Sequence, residues 1–542
     1  MHRSFKPSNA GIALILAVLT AILLIATAPN IGVTWDEPAY IASAKSIAGW
    51  FGLVITNPTE MFDSGTIVRY WTTNHEHPPV EKILSAITWV ATRHIFGDLT
   101  ALRLGNILLV ALLVGLVYLL VSGTYGKPAG AFAALALMSM PRFFFHSHLA
   151  ALDIPVAVGI FALTFLFWKT IDRREWWWGI VLGIAWGIVV ATKLNGVFVP
   201  IAFGIWLLVF RRKWSSVLRL FLMGGFAILT FFLVWPWMYY HTWTRAVAYV
   251  NFHLDHIKIG QWYFGHFYLP PPWQFVLVMI GVVVPLTILL LTLVGAARAG
   301  TGKRDKGLTW LMIISAFVSI SPFLFGKSLL YDNDRLFMPV YPFLACLAGI
   351  GFGGLIALLR RLAERMKHPR LVLPMGLLLS AALLAPQSVA MAGQYPHLLS
   401  YYNEVVGGLP GATHLGLETT YWCETYASAL PFINLHAMPG DKIWVEPWSY
   451  DVLIYYQTIG RLRKDVFILN PMSVMSVLGP LAPSPIAGNF QDANWYIVQF
   501  RQGQAGQGGL DNSPIHTLFS RSPVFEVSYQ GIPLMRLYQG LK

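Results

Sequence analysis

Long apolar stretches, separated by short polar or basic breaks, dominate the first 390 residues. A bilayer core about 30 Å thick needs about 20 apolar helical residues to cross it. The pattern predicts eleven crossings, over roughly 11–28, 101–122, 128–145, 151–168, 176–192, 195–210, 217–238, 273–296, 308–326, 336–359 and 371–390. The first run ends in Ala26-Thr27-Ala28, which resembles a signal-peptide cleavage site. Pro29 follows directly, and the run is long enough to span, so it is read as a retained membrane helix. Residues 80–96 differ, because Glu81, Lys82, Arg93 and His94 flank a short apolar middle. That segment is predicted to be a helix lying on the outer membrane surface.

Beyond residue 390 the pattern changes. Short alternating runs such as Lys442-Ile443-Trp444-Val445 and Trp495-Tyr496-Ile497-Val498 are broken by turn signals such as Pro439-Gly440-Asp441. The chain therefore divides into a membrane domain, 1–390, and a small α/β domain outside the membrane, 391–542. Residues 29–100 form the first outer loop with its juxtamembrane helices, and Gln502–Gly509 reads as a Gly/Gln-rich flexible loop. No internal repeat is evident.

Composition agrees with the pattern. Of 542 residues, 56% are hydrophobic and 12% charged, which excludes a string of soluble domains. The net charge of +13 does not indicate nucleic acid, because the basic residues sit in clusters between apolar runs. These clusters are Lys127; Lys169, Arg173 and Arg174; Arg211, Arg212, Lys213 and Arg219; Arg298, Lys303, Arg304 and Lys306; and Arg360, Arg361, Arg365, Lys367 and Arg370. By the positive-inside rule they face the cytoplasm, as does the N-terminus with His2, Arg3 and Lys6. Counting 80–96 as a crossing would invert every later loop. The expected location is a membrane crossed many times, with the C-terminal domain outside. Two cysteines, Cys346 and Cys423, supply neither a disulfide framework nor a zinc cluster.

Candidate chemistry collects in the outer loops. Thr34-Trp35-Asp36-Glu37-Pro38 places two carboxylates at the membrane edge, where dehydrating charge is costly and suggests a task. Asp36 suits a general base and Glu37 a group that orients a partner or a metal; the same residues equally suit the first turn of a helix. His75-Glu76-His77-Pro78-Pro79-Val80-Glu81-Lys82 holds His77 and Lys82 near the membrane plane. A lysine there fits a lipid phosphate, or it snorkels. Glu76, His77 and His148 offer donor atoms for a divalent metal. Asp153 opens a span, and Lys193 marks a tight outer turn against the charge rule. Arg335, beside Asp332 and Asp334, and Arg103 lie at outer span ends. The two aspartates read equally as a hydrated turn. Trp35, Trp71, Trp235, Trp237, Trp243, Trp262 and Trp273 cluster at the outer boundary, as interfacial anchors do. Nucleotide-loop and familiar hydrolase motifs are absent from the sequence.

This ordered set resembles the protein O-mannosyltransferase family and its relative, the lipid A aminoarabinose transferase family, both of the GT-C superfamily. The resemblance covers about the first 350 residues. It rests on Asp36-Glu37, His77-Pro78-Pro79-x-x-Lys82, Arg103, Leu152-Asp153 and Thr192-Lys193-x-x-Gly196. There is no inserted sugar-binding trefoil, which points to a bacterial-type member. The lipid A transferases have Glu-Lys-Pro-type residues where this chain has Glu76-His77-Pro78, so their lysine and metal arrangement does not transfer. The resemblance implies a GT-C fold and an inverting transfer of mannose or another hexose from a polyprenyl phosphate. The acceptor would be a hydroxyl of a protein, lipid or glycan at the outer face. It implies Asp36 and Glu37 as catalytic residues, with His77, Lys82, Arg103, Asp153, Lys193 and Arg335 at the donor phosphate and substrate. A transporter or flippase is the competing expectation. It predicts broken helices or ionisable groups at mid-membrane, whereas the acids here crowd one face.

Overall fold

The computed structural model describes residues 8–211, 214–255, 259–300, 306–325, 330–472, 475–479, 482–504 and 509–540. His2, Arg3, Lys6, Arg212, Lys213, Lys303, Arg304 and residues 505–508 of the Gly/Gln-rich loop lie outside them.

All eleven apolar runs are helical. Eight described helices are long and apolar enough to cross a membrane, or nine if one sharply bent pair is a single span. Three shorter apolar helices, Lys127–Met138, Trp178–Val190 and Leu194–Phe210, account for further predicted crossings. One of the eight, Glu37–Thr56, falls in the predicted outer loop. Its Ile41, Ala44, Ile47 and Trp50 share a core with Trp71 and with Ile443, Val445 and Ile497 of the C-terminal sheet. Its packing thus groups it with the C-terminal sheet and with the helix Val80–Phe96.

Proline explains the breaks in two of the predicted spans. The run 128–145 is helical to Met138, turns extended at Met140 (φ −82°, ψ 110°), and restarts as Pro141–His146. The run 273–296 bends by 115° between Phe275–Val283 and Leu286–Ala297. Val284 before Pro285 is extended there (φ −85°, ψ 133°), because a residue preceding proline avoids the helical region. Asn403 closes the gap. Its side-chain amide donates to the carbonyls of Gly281 (2.7 Å) and Val284 (2.6 Å), and its backbone N–H to Val282 (2.8 Å). Carbonyls freed by the break are thereby satisfied.

The C-terminal domain is a six-stranded mixed sheet. Its spatial order is Ile486–Ala487, Phe467–Asn470, Lys442–Glu446, Trp495–Gln499, Ile532–Gln539 and Phe525–Tyr529. The two strands read from the sequence, Lys442–Glu446 and Trp495–Gln499, are parallel neighbours at its centre. Their side chains alternate as strand geometry requires: Trp495 and Ile497 face the outer helices, while Tyr496 and Val498 face a separate core with Leu510 and Leu518. The segment that enters this domain is embedded among the outer helix ends, where the Tyr401 carbonyl accepts from Arg142 Nε at 3.1 Å.

Candidate functional site

The site is built on the segment joining the first helix to Glu37–Thr56. Gly32 lies so close to the C-terminal domain that a Cβ there would overlap the Glu424 carbonyl. Trp35 N–H donates to the Trp422 carbonyl (3.0 Å), and Val33 N–H to the Tyr456 hydroxyl (2.7 Å). From inside the bundle, Arg103 grips the same segment. Its Nε and Nη2 donate to the two Glu37 carboxylate oxygens (2.8 and 2.7 Å), and the guanidinium also reaches the carbonyls of Ile31 and Gly32 (2.9 Å each). Glu37 accepts further bonds from Thr34 N–H (2.9 Å) and Ala150 N–H (3.0 Å). Both side chains are fully buried. The expectation that Arg103 meets a phosphate and Glu37 a substrate or metal is corrected by this arrangement: they saturate each other and the backbone, and neither lines a described cavity.

Asp36 points the other way. It occupies the N-cap position of Glu37–Thr56 but makes no capping bond. Its carboxylate instead accepts from Arg335 Nη1 at 2.5 Å and is 26% exposed. Arg335 also pairs with Asp332 (2.9 Å) and approaches Asp153 (3.9 Å). It stacks on the Trp422 ring at 4.5 Å, and its buried Nε has no hydrogen-bond partner among the described residues. Asp153 in turn pairs with Lys193. Four non-glycine residues here, Asp332, Asn333, Trp422 and Cys423, have left-handed backbones (φ between 56° and 72°). Such strain persists where surrounding structure over-determines it, and it clusters at functional sites.

Two cavities meet at this network. One, of about 310 Å³, is polar and lined by Trp35, Asp36, Tyr40, Glu76, Asp332, Arg335, Asp451 and Arg501. The other, of about 390 Å³, runs between apolar helices past Ile160, Phe198, Val318 and Phe323, with Lys193 and Asn195 among its polar residues. His77 and Tyr331 line both. Burial, aided by Lys82 and Lys193, pushes the His77 imidazole well below its ordinary pKa, so it stays neutral.

Lys82 lines neither cavity. Its ammonium is turned onto the carbonyls of Asn74 (2.6 Å) and His77 (2.7 Å), where it staples the loop that carries Glu76 and His77. Burial pushes it down to about 7, against the pull of Glu76 and Glu81. A direct phosphate contact by Lys82 is therefore not what this geometry provides. The metal candidates also separate. His148 bonds Thr27 Oγ1 (2.7 Å) and the Phe144 carbonyl (2.8 Å), while Glu76 accepts from Asn74 (2.8 Å). No group of three or more potential metal-binding side chains exists among the described residues.

Several site residues escape a sequence reading. Arg142 pairs with Asp334 at 2.7 Å, beside Tyr421 and Tyr341. Its charge inside the apolar run 128–145 was the available signal. Arg501 donates to Asp332 from 169 residues away, and Glu418 caps the N–H groups of Gln502 and Gly503. Neither has a local pattern. Asp332 and Asp334, which a hydrated turn would expose, are buried ion-pair partners.

This is a polytopic membrane protein with the GT-C fold, its ionic site at the junction of membrane helices and the C-terminal α/β domain. Residues 76–240 match the family model described as dolichyl-phosphate-mannose-protein mannosyltransferase. Among solved structures, the chain is similar to ArnT from Cupriavidus metallidurans bound to undecaprenyl phosphate, with a TM-score of 0.53, 17% identity, and coverage of 96% of this chain and 97% of that one. It is also similar to the archaeal oligosaccharyltransferase AglB from Archaeoglobus fulgidus in complex with an inhibitory peptide and a dolichol-phosphate. There the TM-score is 0.50 and the identity 12%, covering 92% of this chain and 70% of that one. No curated protein matches the sequence.

Proposed function

We propose that this protein is a glycosyltransferase that moves a hexose from a polyprenyl phosphate to an acceptor hydroxyl at the outer membrane face, with inversion. The observation that carries this reading is the junction of the cavities. A polar chamber holding Asp36 and Arg335 and an apolar groove with Lys193 in its lining lie side by side, sharing His77 and Tyr331. That shape suits a lipid whose chain lies among helices and whose phosphate sits at the membrane surface. The family-model match and the lipid phosphates bound by ArnT and AglB support the donor class.

In the proposed reaction the acceptor oxygen attacks the sugar C1 as the bond from C1 to the phosphate oxygen breaks. The acceptor proton passes to Asp36, acting as general base. The departing phosphate gains a second negative charge, which Arg335 and Lys193 neutralise. Asp153 orients Lys193, and the Glu37–Arg103 pair holds the segment that presents Asp36. Lys82 fixes the His77 loop. Among the described residues the donor atoms do not gather into a metal site, so no step is routed through one. The broken helix 275–297 lines neither cavity, so it offers the transporter reading no pathway.

The test uses the full chain in lipid, a labelled panel of polyprenyl-phosphate hexoses and envelope extract. Transfer of label with inverted anomeric configuration is expected. Asp36→Asn should lower turnover by about 10²–10⁴-fold while donor binding persists. Near-normal turnover by folded Asp36→Asn would refute the base assignment, and intact donor across the panel would refute the transferase.

A further inference from the structure

The largest of the described cavities lies at the other end of the bundle. It measures about 620 Å³, within the range of about 300–1,000 Å³ usual for ligand sites. Its apolar wall includes Ile12, Tyr118, Phe132, Leu135, Phe352 and Leu373. Chain connectivity fixes its end of the bundle. Ile12 is in the first turn of the helix that ends before Asp36; Lys127 follows the helix that begins near Arg103; Arg360 lies in the far part of the helix Tyr341–Arg365, which begins after Arg335.

The cavity exists because the last long helix, Val372–Gln394, is barely packed on the rest, with only Gly376, Gln387 and Gln394 buried. Gly376 marks its close approach, where a Cβ would stand 3.0 Å from Ile356 Cδ1. Three cationic side chains, Lys127, Arg360 and Arg370, line the cavity against one carboxylate, Glu364. Arg360 and Arg370 form no ion pair among the described residues. An apolar slot between membrane helices with excess positive charge at the cytoplasmic end suits an acidic lipid headgroup.

We propose that this groove is a binding site for an anionic diacyl phospholipid of the inner leaflet. Its acyl chains fill the slot between the last helix and the bundle, and its phosphate meets Arg360, Arg370 and Lys127. The site lies at the opposite end from Asp36 and belongs to no step of the proposed reaction.

The experiment is native mass spectrometry of the full chain in detergent, titrated with phosphatidylglycerol, phosphatidylethanolamine or undecaprenyl phosphate. Wild type is expected to retain phosphatidylglycerol at least fivefold better than phosphatidylethanolamine, and the double variant Arg360→Gln/Arg370→Gln to lose that preference. Ala131→Trp, which fills the apolar wall and leaves the charges in place, should lower retention of phosphatidylglycerol at least fivefold. Wild-type selectivity needs no variant to fold and stands as the primary readout. Equal retention of the two phospholipids, unchanged selectivity in the double variant, or displacement of phosphatidylglycerol by equimolar undecaprenyl phosphate would overturn the assignment.

Discussion

Arg103→Met separates a positioning role for the Glu37–Arg103 pair from a substrate-binding one. Removing the guanidinium takes both partners from the Glu37 carboxylate at 2.8 and 2.7 Å and leaves the carbonyls of Ile31 and Gly32 without their donor. Thr34 and Ala150 continue to donate to Glu37, but the buried carboxylate has lost its counter-charge. Breaking a buried pair from one side costs about 3–5 kcal/mol, mostly through the charge left behind. Glu37→Gln should cost less, because the Arg103 guanidinium keeps its bonds to the carbonyls of Ile31 and Gly32. The double variant should be more stable than the sum of the single losses by about 1–3 kcal/mol, as expected for residues in one network. SDS titration of the protein in mixed micelles, followed by tryptophan fluorescence, reads these differences. Donor KM of the folded fraction should stay within about threefold of wild type, since neither residue lines a cavity. A loss below about 1 kcal/mol, together with a donor KM raised tenfold, would refute the reasoning and return Arg103 to the phosphate.

Two further outcomes follow from the outer layer. Burial pushes Glu81 up to about 7 from 4.5, so the folded chain binds the extra proton between those values. The stabilisation is complete below about pH 4.5 and is lost as pH rises through about 7, with a slope of up to about 1.4 kcal/mol per unit. Glu81→Gln should flatten the stability profile in that window and leave untouched the window above 7, where depressed Lys82 acts in the opposite sense. Gly32→Ala forces a methyl group into the Glu424 carbonyl and should destabilise the fold by about 1–3 kcal/mol, measured by the same titration; an unchanged midpoint would show that the two segments are not in contact.

Much of the architecture was legible because its causes are local. Every apolar run predicted to cross became helical, since backbone groups in lipid are satisfied only within the helix. Glu81 and Lys82 at one end and Arg93 and His94 at the other set the segment 80–96 apart from the apolar runs, and it is a helix, Val80–Phe96. The prolines that break two of the runs, Pro141 and Pro285, were visible in the sequence, but the 115° bend was not. Its angle depends on Asn403, more than a hundred residues away, which satisfies the opened carbonyls.

The ionic site divides along the same line. Asp36, Asp153, Lys193 and Arg335 stood out because charge at a membrane edge is expensive and therefore informative, and these four do converge. Residue type also singled out Glu37, Arg103 and Lys82, yet it carried no information about which way their side chains turn. Tertiary packing turned Glu37 and Arg103 on each other and Lys82 onto two carbonyls, while Arg142 and Arg501 entered the network from distant segments. Hydrophobic periodicity is a property of neighbouring residues, so the sequence by itself determined where this chain meets the membrane. A buried charge takes whichever partners the fold brings within reach, so only the tertiary structure decided which charges remain open to a substrate.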